Sequence, residues 1–247
     1  MGCKVMGIVN VTPDSFSDGG QFFRPEEAIR RAKNLVADGA DIIDLGGEST
    51  RPGATPIGWE EEWGRIGPVL AMLASSVSRP KSFRISVDTY HPETAARAIA
   101  AGADIINCVY AEPIPEMMKL LEGNAVELVV PWRAGDEDVR RETEDASVAS
   151  RLYLDPMIGF NTTREEDVEL LRSIPELAKR GRVLVGASRK RIVKKLVGEK
   201  SAVGKNIGGN VAIAVWAALH GASVVRVHDV RETVQALRVV EELKVEG

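Results

Sequence analysis

Eight short aliphatic runs, amphipathic stretches between them, and a length of 247 residues predict an α/β chain folded as one (β/α)8 (TIM) barrel. Such a barrel needs about 250 residues, so a single domain over 1–247 would use the whole chain. Hydrophobic residues make up 44% but aromatics only 5%, which calls for a core of Val, Ile and Leu.

The first run is Val5-Met6-Gly7-Ile8-Val9, and a helical stretch from Pro25 to Ala37 leads to the second, Ile42-Ile43-Asp44-Leu45. Then follow Ile85-Ser86-Val87, Ile105-Ile106, Val126 to Val130, Leu152 to Leu154, Val183-Leu184-Val185 and Val224 to Val227. Runs that are apolar throughout, rather than alternating, mark strands buried on both faces. Three of them are announced alike, by Asp38-Gly39-Ala40-Asp41, Ala101-Gly102-Ala103-Asp104 and His220-Gly221-Ala222-Ser223. In each the glycine ends the preceding helix. Doubly wound sheets share this alternation; the count of eight favours the barrel. One unit is irregular: 133–150 is strongly polar, so a short or irregular fifth helical segment is expected, exposed or mobile.

The net charge of −4, from 32 basic and 36 acidic residues, lacks the basic excess of a nucleic-acid surface. Two cysteines, Cys3 and Cys108, make neither a disulfide framework nor a zinc cluster. No apolar run approaches the ~18 residues that span a membrane, and the start lacks a charged region and a cleavage site. A cytoplasmic protein without nucleic-acid or membrane partners is expected.

Polar residues close most of the runs, where barrel enzymes place their active rim. Asn10, Asp88, Asn107 and Asp155 end strands one, three, four and six. Asp44 lies in strand two, which runs into Glu48-Ser49-Thr50-Arg51. Strand seven leads to Ser188-Arg189-Lys190, and Arg226, His228 and Asp229 close strand eight. Such groups are costly to bury unpaired. Asp88, Asn107, Asp155 and Lys190 form a donor–acceptor set suited to a flat heterocycle with amino, ring N–H and carbonyl groups. Arg51, Arg226 and His228 suit phosphate, arginine as a bidentate fork. Asn10 offers a hard oxygen for Mg²⁺ beside a diphosphate.

Several of these residues lie in longer motifs. Met6-Gly7-Ile8-Val9-Asn10-Val11-Thr12-Pro13-Asp14-Ser15-Phe16-Ser17-Asp18-Gly19-Gly20 and Asp44-Leu45-Gly46-Gly47-Glu48-Ser49-Thr50-Arg51-Pro52-Gly53-Ala54 resemble the first two motifs of the dihydropteroate synthase family. Ser86-Val87-Asp88-Thr89, Leu154-Asp155-Pro156, Gly186-Ala187-Ser188-Arg189-Lys190 and Arg226-Val227-His228-Asp229-Val230 resemble its later ones, in family order. The resemblance implies a transferase of folate biosynthesis. It would join 6-hydroxymethyl-7,8-dihydropterin diphosphate to 4-aminobenzoate, giving 7,8-dihydropteroate and diphosphate. It implies pterin contacts from Asp88, Asn107, Asp155 and Lys190. It further implies diphosphate contacts from Asn10, Thr50, Arg51, Arg226 and His228, with Mg²⁺ on Asn10. Phe160, Pro52 and Arg191 would meet the arylamine, and Asp155, Lys190, Arg226 and His228 would serve catalysis. The loops from Val11 to Gly20 and from Ser49 to Pro56 would close over the substrates, and late helices, Val211 to Leu219 among them, would form a homodimer.

Four departures stand out: Cys108 where the family has Asp, Val130-Pro131-Trp132 for a Met-His-Met stretch, Met157-Ile158-Gly159-Phe160-Asn161-Thr162 for a glycine-rich run ending in Lys, and Arg191 for Ser. Arg191 could bind the aminobenzoate carboxylate, favour a larger anionic arylamine such as a ribosyl-phosphate aminobenzene, or point to solvent. Two other readings share the scaffold: a pterin-dependent methyltransferase acting on a corrinoid, and a non-catalytic pterin-binding homologue.

Overall fold

The aliphatic runs form eight strands where the sequence predicts them: β1 (Lys4–Asn10), β2 (Ile42–Gly46), β3 (Arg84–Asp88), β4 (Ile105–Asn107), β5 (Glu127–Pro131), β6 (Leu152–Asp155), β7 (Arg182–Val185) and β8 (Ala222–Val227). The computed structural model describes residues 2–12, 25–49, 54–75, 83–133, 146–198 and 206–243. The strands close in chain order into a parallel barrel, the expected (β/α)8 fold. Ten helices lie among the described residues: α1 (Pro25–Ala37), α2 (Trp59–Ser75), α3 (Pro92–Ala100), α4 (Ile114–Lys119), α5 (Ala146–Ala149), α6 (Arg164–Arg172), α7 (Ile174–Ala178), α8 (Arg191–Val197), α9 (Ile207–Leu219) and α10 (Val230–Glu242).

The chain divides into two compact units. One comprises Ile8–Ala37 and Asp41–Val130, the other Met1–Gly7, Asp38–Ala40 and Pro131–Gly247.

In the unit ending at Val130, β2, β3 and β4 pair in register through Gly46, Asp88 and Asn107, and β4 continues the ladder to β5. Ile43, Leu45, Ile85, Val87 and Ile105 are fully buried, as uninterrupted aliphatic strands require. Helix α1 buries Ala28, Ile29, Ala32 and Leu35, one stripe at helical spacing. Arg84 pairs with Glu127, while the backbone N–H of Ile85 donates to Asp104 Oδ2 at 2.7 Å. The buried Glu62 of α2 accepts from Thr89 Oγ1 at 2.6 Å, tying that helix to the exit of β3. Burial pushes the Glu62 carboxyl above its ordinary range.

In the other unit β8 pairs with β7 on one side and β1 on the other. Helix α10 buries Val230, Thr233, Val234 and Leu237, and Arg231 Nε donates to Asp38 Oδ1 at 2.8 Å. Of the polar fifth segment, 134–145 lie outside the described residues; α5, four residues long, has none buried. Among the described residues no helix is long and apolar enough to cross a membrane.

The three repeated turns share one backbone conformation: Gly39, Gly102 and Gly221 have φ of 101°, 99° and 99°. Only glycine adopts this without strain. A Cβ on Gly221 would lie 2.7 Å from the Ala178 Cβ, whereas one on Gly102 would lie 3.4 Å from that of Ala74. Gly221→Ala should therefore lower unfolding stability by more than about 1 kcal/mol, and by more than Gly102→Ala. Urea midpoints compare them; equal losses would mean that backbone strain alone decides.

Candidate active site

Polar side chains gather at the C-terminal strand ends of each unit. In the unit ending at Val130, the half-buried Asn10 closes β1, Asp88 closes β3 and Asn107 closes β4. Asp88 and Asn107 are register partners on adjacent strands, and Gly46, the next partner of Asp88, leaves space beside it. Asn107 is 1% exposed. Its Nδ2 donates to Asp44 Oδ2 at 3.3 Å, while among the described residues its Oδ1 has no hydrogen-bond partner. A buried amide oxygen left this way is costly and is an acceptor ready for a ligand N–H.

Beside this pair lies a group of which the sequence reading had placed only Glu48 on the rim. Tyr90 Oη donates to Glu48 Oε1 at 2.8 Å, His91 Nε2 lies 3.4 Å from Glu48 Oε2, and Tyr90 meets Tyr110 edge-on at 4.9 Å. Glu48, Tyr90 and Tyr110 line a cavity of about 650 Å³ together with Ser49, Ala54 and Pro56. Sequence position alone gave no sign that these rings would meet.

In the second unit Asp155 closes β6 and is 5% exposed. Burial raises its carboxyl above the ordinary range, against the opposing pull of Lys190, the Met157 N–H and Arg226. The Met157 N–H donates to Asp155 Oδ1 at 2.7 Å. Lys190 precedes α8, donates through Nζ to the Ile158 carbonyl at 2.6 Å, and lies 4.2 Å over the Phe160 ring centre. A Cβ at Gly159, whose φ is +79°, would come within 2.9 Å of Lys190 Cδ, so glycine there makes room for the lysine. Arg226, the penultimate residue of β8, runs beside Gly186. Asp155, Lys190, Phe160 and Arg226 are thus brought together.

Next to them, Ser188 Oγ accepts from the His228 N–H at 3.2 Å and lies 3.1 Å from His228 Nδ1. Both contacts can be made at once, with the hydroxyl donating to Nδ1 or its oxygen accepting from Nδ1–H as well as from the backbone. Arg189 adopts φ +60°. It is held there by its Nη2 on Asp229 Oδ1 at 2.7 Å and its N–H on Asn210 Oδ1 at 2.9 Å, with Asn210 Nδ2 on Asp229 Oδ2 at 2.9 Å. A strained residue persists where its surroundings over-determine it, and this network joins the loops after β7 and β8. Arg191, first residue of α8, donates through Nη2 to Thr162 Oγ1 at 3.3 Å and lies 3.7 Å through Nε from Asp167 Oδ2. Thr50, Arg51 and Pro52 lie outside the described residues, as do Pro13 to Gly20 of the first loop.

Among the described residues no group of three His, Cys, Asp or Glu side chains could hold a metal ion. The Asn10 amide oxygen is a donor of the kind that suits a Mg²⁺ bringing most of its ligands as water and substrate phosphate.

Cys108 is fully buried, its Sγ donates to the Tyr110 carbonyl at 3.3 Å, and burial pushes the thiol up to about 12. It is therefore an inert packing residue. Titration of native protein at pH 8 with a thiol reagent should label Cys3, which is partly exposed, and reach Cys108 only after unfolding. Rapid labelling of both would contradict this. Asp155 gives a second test. A carboxyl raised on folding adds stability below its unfolded value of about 3.9, and that contribution is lost as pH rises through the folded value. The stability advantage of the native chain over Asp155→Asn should therefore shrink from pH 4 to neutrality. A constant difference would mean that the carboxyl is not raised.

The family model described as pterin binding enzyme matches residues 6–228. A dihydropteroate synthase of Streptococcus pyogenes is 35% identical over 256 residues, covering 97% of this chain and 95% of that protein. The structure of Xanthomonas albilineans dihydropteroate synthase with 4-aminobenzoic acid superposes with a TM-score of 0.87 at 37% identity, over 99% of this chain and 94% of that one. That of Anaplasma phagocytophilum dihydropteroate synthase with bound 6-hydroxymethylpterin-monophosphate superposes with 0.84 at 29% identity, over 99% and 100%. With its strand-end carboxylates, amides and cations in the family's motifs, the chain belongs to the dihydropteroate synthase family of pterin-binding enzymes.

Proposed function

We propose that this chain is a transferase that joins the methylene of 6-hydroxymethyl-7,8-dihydropterin diphosphate to the amino group of 4-aminobenzoate or a related arylamine. The C–O bond to diphosphate breaks, a C–N bond forms, and the arylamine nitrogen loses a proton. The observation that carries this reading is the buried Asp155 carboxylate facing Lys190 and Arg226. Two cations beside one buried anion suit a substrate that is a hydrogen-bonding heterocycle at one end and an anion at the other.

In this reading Asp88, Asn107, Asp155 and Lys190 hold the pterin. The orphaned Asn107 Oδ1 accepts from a ring N–H, and the Asp155 carboxylate stabilises positive charge that develops on the ring as the C–O bond lengthens. Arg226 and His228 hold the departing diphosphate, with Asn10, Thr50 and Arg51 assigned to the same group. Asn10 would hold Mg²⁺, which supplies charge neutralisation at the leaving group. Phe160, Pro52 and Arg191 are assigned to the arylamine. No protein nucleophile is required, and the inert Cys108 agrees with that. The apolar residues exposed on α9 and α10 (Ile207, Leu219 and Val239) support a homodimer through these helices, and a chain with two cysteines, too few for a disulfide framework, fits a cytoplasmic protein.

Purified chain mixed with the pterin diphosphate and Mg²⁺ should release diphosphate only when 4-aminobenzoate or another arylamine is added. Pterin binding without release would point to a non-catalytic homologue, and methyl transfer from methyltetrahydrofolate to cobalamin to a methyltransferase. Asp88→Ala should abolish pterin binding in calorimetry. Arg226→Ala should lower kcat by about 10²-fold, the usual effect of deleting one donor to a developing anion, and weaken diphosphate more than pterin. Equal losses would refute a separate phosphate subsite.

A further inference from the structure

Asp167 lies in the first turn of α6 and is fully buried, within a run of charged residues, Arg164-Glu165-Glu166-Asp167, that reads as a solvated helix face. Its Oδ1 accepts from the Gly159 N–H at 2.7 Å and from Thr162 Oγ1 at 2.6 Å. Among the described residues its Oδ2 has no hydrogen-bond partner, and the Arg191 guanidinium lies nearby, with Nε at 3.7 Å. Arg191 reaches the same loop a second time through Thr162 Oγ1.

The loop between β6 and α6 needs such an anchor. Met157, Gly159 and Asn161 all have positive φ, of 61°, 79° and 50°, and each non-glycine residue in that region costs of order 1–3 kcal/mol. Two buried carboxylates bracket the loop: Asp155 takes the Met157 N–H and Asp167 takes the Gly159 N–H. Between them the loop presents Phe160 under Lys190 and the Ile158 carbonyl to its ammonium. A charged carboxylate with one oxygen unsatisfied in a dry site draws the nearest cation to it. Arg191 is therefore tethered through Nε and one terminal nitrogen, while its side chain stays 46% exposed.

We infer that Asp167 is a positioning residue that sets selectivity for an anionic arylamine: it fixes the Phe160 loop and aims Arg191, whose exposed edge receives the anionic substituent. This deepens the transfer reading above and rests on it. Asp167 touches no substrate and acts through Arg191. An uncharged amide at 167 that keeps the Gly159 bond through its oxygen would face Arg191 with its NH2 donor, releasing the guanidinium.

The test is a double-mutant cycle on the whole chain with Mg²⁺ and the pterin diphosphate. Diphosphate release is followed for wild type, Asp167→Asn, Arg191→Ser and the double variant, with 4-aminobenzoate and with the neutral 4-aminobenzamide. Each single substitution should raise the KM for 4-aminobenzoate about tenfold, with the KM for pterin diphosphate changed less than about twofold, and the double variant should be no worse than Arg191→Ser. With 4-aminobenzamide the KM should barely move. Additive losses, equal effects on both arylamines, or a parallel loss in pterin diphosphate KM would overturn the inference. If Asp167→Asn does not fold, Thr162→Val, which removes the hydroxyl shared by Asp167 and Arg191, must give the same 4-aminobenzoate-selective rise. Wild type that releases no diphosphate with any arylamine overturns the transfer reading and this inference with it; active wild type with additive losses overturns this inference alone.

Discussion

The Asp155 carboxylate has almost no water around it and two cations in front of it. Moving a carboxylate out of water costs several kcal/mol even after relaxation, and it stays charged only if partners compensate. Here the partners are the Met157 N–H, Lys190 and Arg226, drawn from the loop beyond β6, the loop beyond β7 and strand β8. One buried charge thus fixes how three neighbouring strand ends are furnished. The loop that follows it inherits the constraint: Met157 turns left-handed at φ 61° as its N–H meets Asp155, and the next turns place Phe160 under Lys190.

The same economy recurs one strand further on. Ser188, Arg189 and Lys190 are consecutive, yet each faces a different partner: His228, Asp229 with Asn210, and the Ile158 carbonyl. A left-handed arginine between a serine and a lysine swings the three side chains apart. This arrangement explains why a short polar motif can orient a histidine ring and aim an ammonium at once. Preorganised charge of this kind costs no reorganisation when charge develops on a substrate.

The strands were legible because uninterrupted aliphatic runs between glycine turns have few other solutions, and all eight begin and end within a residue or two of the runs themselves. The strand-end residues Asp88, Asn107 and Asp155 were legible for the same reason: a polar residue that closes a buried run must be satisfied by something. Asp167 was hidden. It follows Glu165 and Glu166, which are exposed on the same first helical turn, and nothing in a run of four charged residues says that one turns inward. The Glu48–Tyr90 and Glu48–His91 contacts were hidden too, because they join residues 42 and 43 positions apart. Arg191 was noticed only as an unexpected residue; its ties to Thr162 and Asp167 depend on a loop whose left-handed turns no periodicity encodes.

The role given to Asp155 and Lys190 as one charged unit is tested most directly by calorimetric affinities for 6-hydroxymethyl-7,8-dihydropterin diphosphate in four proteins: native, Asp155→Asn, Lys190→Met and the double variant. Residues acting as a unit should show a coupling of about 1–3 kcal/mol, the double variant losing clearly less than the sum of the singles. Strict additivity would contradict that coupling, and unchanged affinity in both singles would remove the pair from pterin binding altogether.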